Sequence, residues 1–585
     1  MNDIQKWFEF NDLKTKKYNK SVWIPLRASQ DIISNGKFGY DGYENDYFAL
    51  SSVVFPQTKY EKVIPLTWDD VSLYSNNKGY VEDGQYIASD KYTRDLQLEG
   101  FHLVLTQHFN SLEQNQWHVH QDIVMSLNLF REDDVWLSPN EGYIEVIRLK
   151  RNGKGEPCLI EMRAEHLKDY LCARDMGLYL SMYSSRDSIF EEKQNIIFVS
   201  EDNSLFRYQG WESKIHKGDF GMPFGESMAV FHAARNDVDD NEDLPDISGI
   251  PTDENVTSNS WTRKFDGVKL YRYTADFWKT EWIEPAAKSP RIKEDPLPST
   301  IYFIVDEQGN KENKDTLINS GKWLWFKPNI VLALMDYRGS FLSWYSQETG
   351  KVSCSPDYGV HFGVNSLGFI NVFAKDIVFL PDWQQQIWSG FNIAPEGGVS
   401  KELLDSQVHA TPANTKAPEA FLHNGFQLLN EVSEEKLNLA VFKEHDYHTD
   451  LIKRIHRFRA TDEAGLFELA KDIARMTADS FDAEAIQTIV KPPKGEKWGS
   501  IKSVEKLLAQ KIDTDIARKI TAPLVGIYEL RLADAHLPSS KIDEAYRLIG
   551  IDKNLTIIHQ AHFMLYQCVT SIYTIVEILK RWDDL

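Results

Sequence analysis

Residues 555–582 read LTIIHQAHFMLYQCVTSIYTIVEILKRW. Leu555, Ile558, His562, Leu565, Val569, Ile572, Val576 and Leu579 recur in steps of three and four. That spacing puts them on one stripe of a long helix and makes the stripe a bundle seam. Working back from it, further helical periodicity runs over His448–Arg459, Asp462–Met476, Ser500–Gln510, Ile516–Leu532 with a kink at Pro523, and Lys541–Leu548. Trp becomes rare in this region. The chain from 421 to 585 is therefore expected to be all helix. The segment ATPANTKAPEA at 410–420 reads as an Ala/Pro/Thr linker in front of it.

Upstream the pattern changes. Most of the sixteen Trp fall before residue 400, in strand-like segments. Phe101, Leu103, Leu105 and Phe109 nearly keep a period of two. Tyr143–Leu149 and Pro157–Arg163 flank Arg-Asn-Gly-Lys-Gly, which predicts a hairpin. Ala164–Arg174 has helical spacing, Gly177 is expected to end it, and a strand follows. KLYRYT, STIYFIVDE, KWLWF and the pair FLSWYS/GKVSC predict strands further on. Residues 236–262 are acidic, polar and Pro-containing, which predicts a linker or exposed insertion. The expected fold class is α+β and multidomain. A mixed α/β domain at 1–235 and a strand-rich aromatic domain at 263–409 precede the helical bundle.

At 585 residues the chain is too long for one core. The net charge of −22 excludes nucleic-acid binding by bulk charge, because so acidic a surface displaces few condensed counterions. The excess acid lies upstream, and the region from Glu431 onward is close to neutral. Cys158, Cys172, Cys354 and Cys568 form no CxxC pair, which fits reduced thiols of a cytoplasmic protein. The N-terminus MNDIQKWFEF shows no signal-peptide pattern, and no apolar run was expected to approach the ~20 residues that cross a bilayer.

The most specific chemistry in the sequence is Arg531-Leu-Ala-Asp-Ala-His536, at the predicted end of a helix before Leu-Pro-Ser-Ser. Histidine titrates near neutral pH and serves as acid or base. The arginine fork holds a phosphate and stabilises charge developing on it. Asp534 lies between the two and is placed to orient the histidine. Lys453, Arg454, Arg457 and Arg459, with His456, form a basic stretch on an earlier helix, the nearest phosphate-contacting surface. With one Arg-x4-His at a helix end of a bundle of about 150 residues, the tail resembles the HEPN superfamily of helical ribonucleases. Leu532 departs from the polar residue that this family often carries after the arginine. The resemblance implies a metal-independent endoribonuclease without a cofactor, acting on RNA such as tRNA, in anti-phage defence or a toxin-like stress response. It also implies a homodimer through the bundle, with a phage component or small molecule sensed upstream.

Two other constellations compete. In Trp117-His118-Val-His120-Gln-Asp122, an extended chain would put His118, His120 and Asp122 on one face and make half of a metal site for a hydrolase. His102 and His108 lie nearby in sequence. Gly359-Val-His361-Phe-Gly363-Val-Asn365, followed by Lys375 and Asp376, offers Gly-rich turns that a ligand could approach closely. A third reading has no catalysis, with the sheets recognising a partner and the bundle dimerising. His562 on the seam reads as a core histidine.

Overall fold

In the computed structural model, residues 11–38, 40–73, 80–107, 116–192, 202–206, 209–220, 270–443, 448–532 and 539–584 are described. The chain divides into two compact units, Met1–Leu297 and Pro298–Leu585. The large sheet domains upstream and the helical region downstream make an α+β architecture.

The first unit is built on a ten-stranded sheet. Across it the strands run Asp202–Phe206, Gln209–Phe220, Leu270–Ile283, Met176–Phe190, Tyr43–Pro56, Trp23–Asn35, Pro157–Arg163, Ile144–Arg151, Val135–Ser138 and Phe130–Glu132. Every adjacent pair is antiparallel. The expected hairpin around Arg151–Gly155 is present: Ile160 pairs with Leu149 and Met162 with Ile147. Ile24, Leu26, Ile147, Ile160, Met162, Leu178 and Leu180 alternate toward one face. The helix Ala164–Arg174 packs Leu167, Tyr170 and Leu171 into the same core.

Three expectations are corrected here. Gly177 does not end the helix Ala164–Arg174. Asp175 does, in the left-handed region at φ 56°, and Gly177 lies inside the following strand. A Cβ on Gly177 would meet Trp282 Cζ2 at 1.9 Å, so the close approach of that indole is what requires glycine. Gly177→Val is expected to destabilise the first unit by about 1–3 kcal/mol, as overpacking does. A lowered urea midpoint with unchanged slope checks it. Secondly, the strand Leu270–Ile283 belongs to the first sheet, between Gln209–Phe220 and Met176–Phe190. The first unit therefore runs past 263 to Leu297. The expected linker at 236–262 lies outside the described residues.

The third correction concerns 410–420. In the second unit a six-stranded antiparallel sheet runs Phe341–Trp344, Thr349–Ser353, Val360–Val364, Ile370–Phe373, Trp323–Phe326 and Asn392–Ile393. The helices do not stand apart from it. Phe458 and Ile558 join the core cluster of this sheet, and Phe458 stacks on Trp344 with ring centroids 5.5 Å apart. Within 410–420, Ala417 is buried and Thr415 Oγ1 donates to Glu402 at 2.6 Å. The expected domain boundary thus falls within one compact unit.

The bundle comprises Glu419–Leu437, His448–Arg454, Glu463–Met476, Ala483–Ile489, Ser500–Leu508, Thr514–Leu530, Ser539–Ile549 and Ile557–Lys580. Three of these N-termini are capped by aspartate: Asp462 accepts from Gly465 N, Asp482 from Ala485 N and Asp513 from Asp515 N; outside the bundle Ser400 accepts from Leu403 N and caps Lys401–Gln407. The last helix buries Ile558, Leu565, Ile572, Val576 and Leu579 of the predicted seam. Ala561, Met564, Cys568 and Ile575 widen it, whereas Leu555 is exposed. By length and apolar content this helix could cross a membrane, contrary to the expectation from sequence. Its apolar face is packed within the bundle.

Candidate functional site

Arg531 is set by the helix Thr514–Leu530. Ala517, Leu524, Ile527 and Leu530 anchor that helix in the core. Gly526 admits its neighbour Ser539–Ile549, since a Cβ there would come within 2.8 Å of Ala545 O. Arg531 caps the C-terminus, its N–H donating to Ile527 O at 3.1 Å. Its guanidinium lies over the Tyr528 ring, 4.7 Å from the centroid, and donates from Nη1 to Asp479 Oδ2. The side chain is 25% exposed, so a surface ligand can reach it. The hydrogen bond to Asp479 raises the Arg531 pKa still further. Asp534 and His536 lie outside the described residues.

The basic stretch divides. Lys453 and Arg454 end the helix His448–Arg454 and are exposed. Arg457 and Arg459 lie on a separate 3-10 turn, Arg457–Arg459. Arg457 is corrected as an RNA contact, because it is only 3% exposed and its donors are committed. Nε and Nη2 donate to the two oxygens of Glu419 at 2.7 and 2.8 Å, and Nη1 donates to Gln347 O at 2.8 Å. Its Cζ also sits 4.1 Å from the centroid of the Trp344 ring. Arg459 is partly buried, with Nε 3.8 Å from Asp472 Oδ2.

Histidines surround this ion pair. Burial, ahead of nearby charges, pushes His456 and His562 down to about 4. The Nδ1 atoms of both are buried without a hydrogen-bond partner among the described residues. His559 accepts or donates at 2.6 Å with Thr556 Oγ1 and is shifted down by burial. The charged neighbours of His562 are Arg457, Glu419 and His559. Glu419 is pulled down to about 2: Arg457 and its hydrogen bonds outweigh the opposing burial, which is the largest single effect.

The metal reading of WHVHQD is overturned by where its donors go. The strand Gln116–Val119 ends one residue before His120, which caps the helix Gln121–Ser126. The even alternation assumed for His118, His120 and Asp122 is thereby broken. His118 Nε2 pairs with Gln107 Oε1 at 2.9 Å. His120 Nε2 pairs with Asp90 Oδ2 at 2.9 Å, and its Nδ1 accepts from Asp122 N at 3.2 Å. Asp122 accepts from Arg174 Nε and Nη2 at 2.7 and 2.6 Å and from Tyr170 OH at 2.8 Å. Those donors, Arg174 first, hold the Asp122 carboxyl below the usual range. Among the described residues no three His, Cys, Asp or Glu side chains are grouped to hold a metal. His102 is buried with Nδ1 3.3 Å from Ser52 O, and His108 lies outside the described residues.

The glycine-rich stretch is a strand, Val360–Val364, with a turn after it. Asn365 is buried and organises that turn. Its Nδ2 donates to Glu396 O and Gly398 O at 2.8 and 2.9 Å, and its Oδ1 accepts from Leu367 N and Phe369 N at 3.0 Å. Asn365 is therefore fully used in joining two loops. His361 is half-buried, with Nδ1 3.8 Å from Asp376, whose carboxyl is pushed up by burial.

Two buried carboxylates escaped the sequence reading. Asp46 and Glu161 line a pocket of about 260 Å³ on the first sheet. A signal was present: Glu161 interrupts the otherwise apolar run PCLIEM, where an acid must be paired to be buried. No protein-family model matches this chain, and neither a curated protein nor a solved structure does.

Proposed function

We propose that the chain is a metal-independent endoribonuclease of the HEPN type, with Arg531, Asp534 and His536 as its reacting residues. The supporting observation is the position of Arg531: a partly exposed guanidinium, fixed over Tyr528 at the end of a core-anchored helix, directly before the segment that carries His536. A base removes the 2′-hydroxyl proton, and the 2′-oxygen attacks its own phosphodiester. The P–O5′ bond breaks and an acid protonates the leaving oxygen. The products are a 2′,3′-cyclic phosphate and a 5′-hydroxyl, with no oxidant or metal consumed. His536 supplies acid or base, and Arg531 holds the phosphoryl oxygens. Lys453 and Arg454 track the RNA backbone. The setting we assign is cytoplasmic, in anti-phage defence or a toxin-like response, with a homodimer through the bundle and a trigger sensed by the first unit.

The pairing of Arg531 with Asp479 favours a second reading, in which the bundle recognises or dimerises without catalysis. Inducible expression of wild type, Arg531→Ala and His536→Ala, with and without phage challenge, separates the two. Sequencing of cyclic-phosphate RNA ends is expected to show cleavage by wild type and a drop of about a hundredfold in either variant. Circular dichroism confirms that the variants fold. Equal RNA ends in all three strains would leave the non-catalytic reading.

A further inference from the structure

Among the described residues the Arg531 side chain has one hydrogen-bond acceptor, Asp479 Oδ2. That carboxylate is carried by a firmly held turn. Residues 477–482 join the helices Glu463–Met476 and Ala483–Ile489. Asp479 N donates to Ala474 O at 3.0 Å, and Ser480 Oγ donates to Arg475 O at 2.6 Å. Ser500 Oγ donates to Ala478 O, and Phe481 stacks on Phe442 with ring centroids 4.9 Å apart. Ala478 and Ser480 are buried on either side of Asp479, whose own side chain is 43% exposed and meets the guanidinium.

An ion pair this exposed adds little to stability, so the fold does not call for an acid here. Its effect on an approaching phosphate is direct. An unpaired guanidinium offers a full positive charge and a fork that matches phosphate oxygens. Paired with Asp479, Arg531 presents a neutral couple, and the carboxylate oxygen takes up Nη1, one of the donors that a phosphoryl oxygen would use. A second bias has the same sign. Arg531 caps the C-terminus of Thr514–Leu530, the negative end of the helix dipole, where an anion is disfavoured. The remaining N–H groups of the guanidinium stay available to a ligand that can outcompete the acid.

We propose that Asp479 is a positioning residue that holds the RNA-free site in check: its carboxylate stands in for phosphate on Arg531, and an RNA strand must displace it to engage the guanidinium. The inference rests on the reading of Arg531 as the residue that holds phosphate. It adds a built-in brake to that reading, one that acts on binding of the RNA backbone and not on proton transfer. Because the turn is pinned by Ser480 and Ser500, the moving part is the Arg531 side chain and not the acid.

Fluorescence anisotropy of the full chain with a labelled single-stranded 2′-O-methyl RNA, which lacks the attacking hydroxyl, reads binding without cleavage. Asp479→Asn keeps the size and can still accept from Arg531. It is expected to tighten binding about fivefold, and Asp479→Ala at least as much. The gain should shrink as salt rises from about 50 to about 300 mM, since it is a charge effect. In cells, Asp479→Asn is expected to raise cyclic-phosphate RNA ends about fivefold, and Arg531→Ala added to it to abolish them. If Asp479 only fixed the geometry of Arg531, Ala would weaken binding while Asn stayed at the wild-type value, and that result would overturn the proposal. Cleavage by wild type with affinity unchanged in both Asp479 variants would remove the brake and leave the nuclease reading standing. Tighter binding by both variants with no cleavage in any strain would keep the brake and remove the catalytic role of His536. No binding by any of the proteins up to about 10 μM would overturn both.

Discussion

Replacing Arg457 by methionine is expected to destabilise the second unit by about 3–5 kcal/mol, the cost of stranding one partner of a buried ion pair. Glu419 is 4% exposed in its side chain, and Arg457 supplies both of its charge-assisted hydrogen bonds from side-chain nitrogens. Without Arg457 the carboxylate must stay ionised among apolar groups or take up a proton. Gln347 O loses its donor at the same time, and Trp344 loses the cation above its ring. The double variant Arg457→Met with Glu419→Leu is expected to recover a large part of the loss, because no charge is then left buried. Urea unfolding of the three proteins, read by Trp fluorescence, checks the series. An Arg457→Met midpoint equal to wild type would mean that solvent reaches Glu419.

The same cluster is expected to make the second unit acid-labile above the range where carboxylates ordinarily protonate. Burial holds His456 and His562 down to about 4 in the folded chain, against about 6.5 for an ordinary histidine. Between those values the unfolded chain binds more protons, so stability falls as pH drops from about 6.5 toward 4. A shift of that size in one histidine corresponds to about 3 kcal/mol. Glu419 adds the same sign in a lower window. Its folded value of about 2 lies below 4.5, so its contribution is lost as pH falls from 4.5 toward 2. Thermal unfolding across pH 4–7 is the measurement. His562→Gln is expected to flatten the upper part of the profile, and an unchanged profile would show that His562 is not held neutral in the folded state.

Local signals were read well where one physical rule dominated. Turn chemistry at Arg151–Gly155 placed a hairpin correctly, and the three-four spacing of Ile558, Leu565, Ile572 and Val576 placed the last helix. Domain division was not legible, because composition marks where the chain is polar and not what it packs against. The Ala/Pro/Thr stretch at 410–420 looks like a spacer, yet Phe458 beyond it inserts into the sheet before it. Leu270–Ile283 reads as a strand, but no local feature says that its neighbours are Met176–Phe190 and Gln209–Phe220. The site suffered in the same way. A run of Lys453, Arg454, Arg457 and Arg459 looks like one basic face, while a change from α-helix to 3-10 turn turns Arg457 inward. The partner that draws it in, Glu419, is 38 residues away.

Lys279 and Glu281 give the first unit an order of assembly. Lys279 Nζ donates to Leu13 O at 3.1 Å, and Glu281 accepts from Tyr18 N and Asn19 N at 3.0 and 2.7 Å, across more than 260 residues of chain. On the ribosome, the holders of residues 13–19 emerge some 260 residues after them. Synthesis proceeds at about 5–20 residues per second, so this segment waits on the order of ten to fifty seconds for its anchors. The wall that Lys16 and Tyr18 contribute to the pocket on the first sheet is thus fastened only long after it is made.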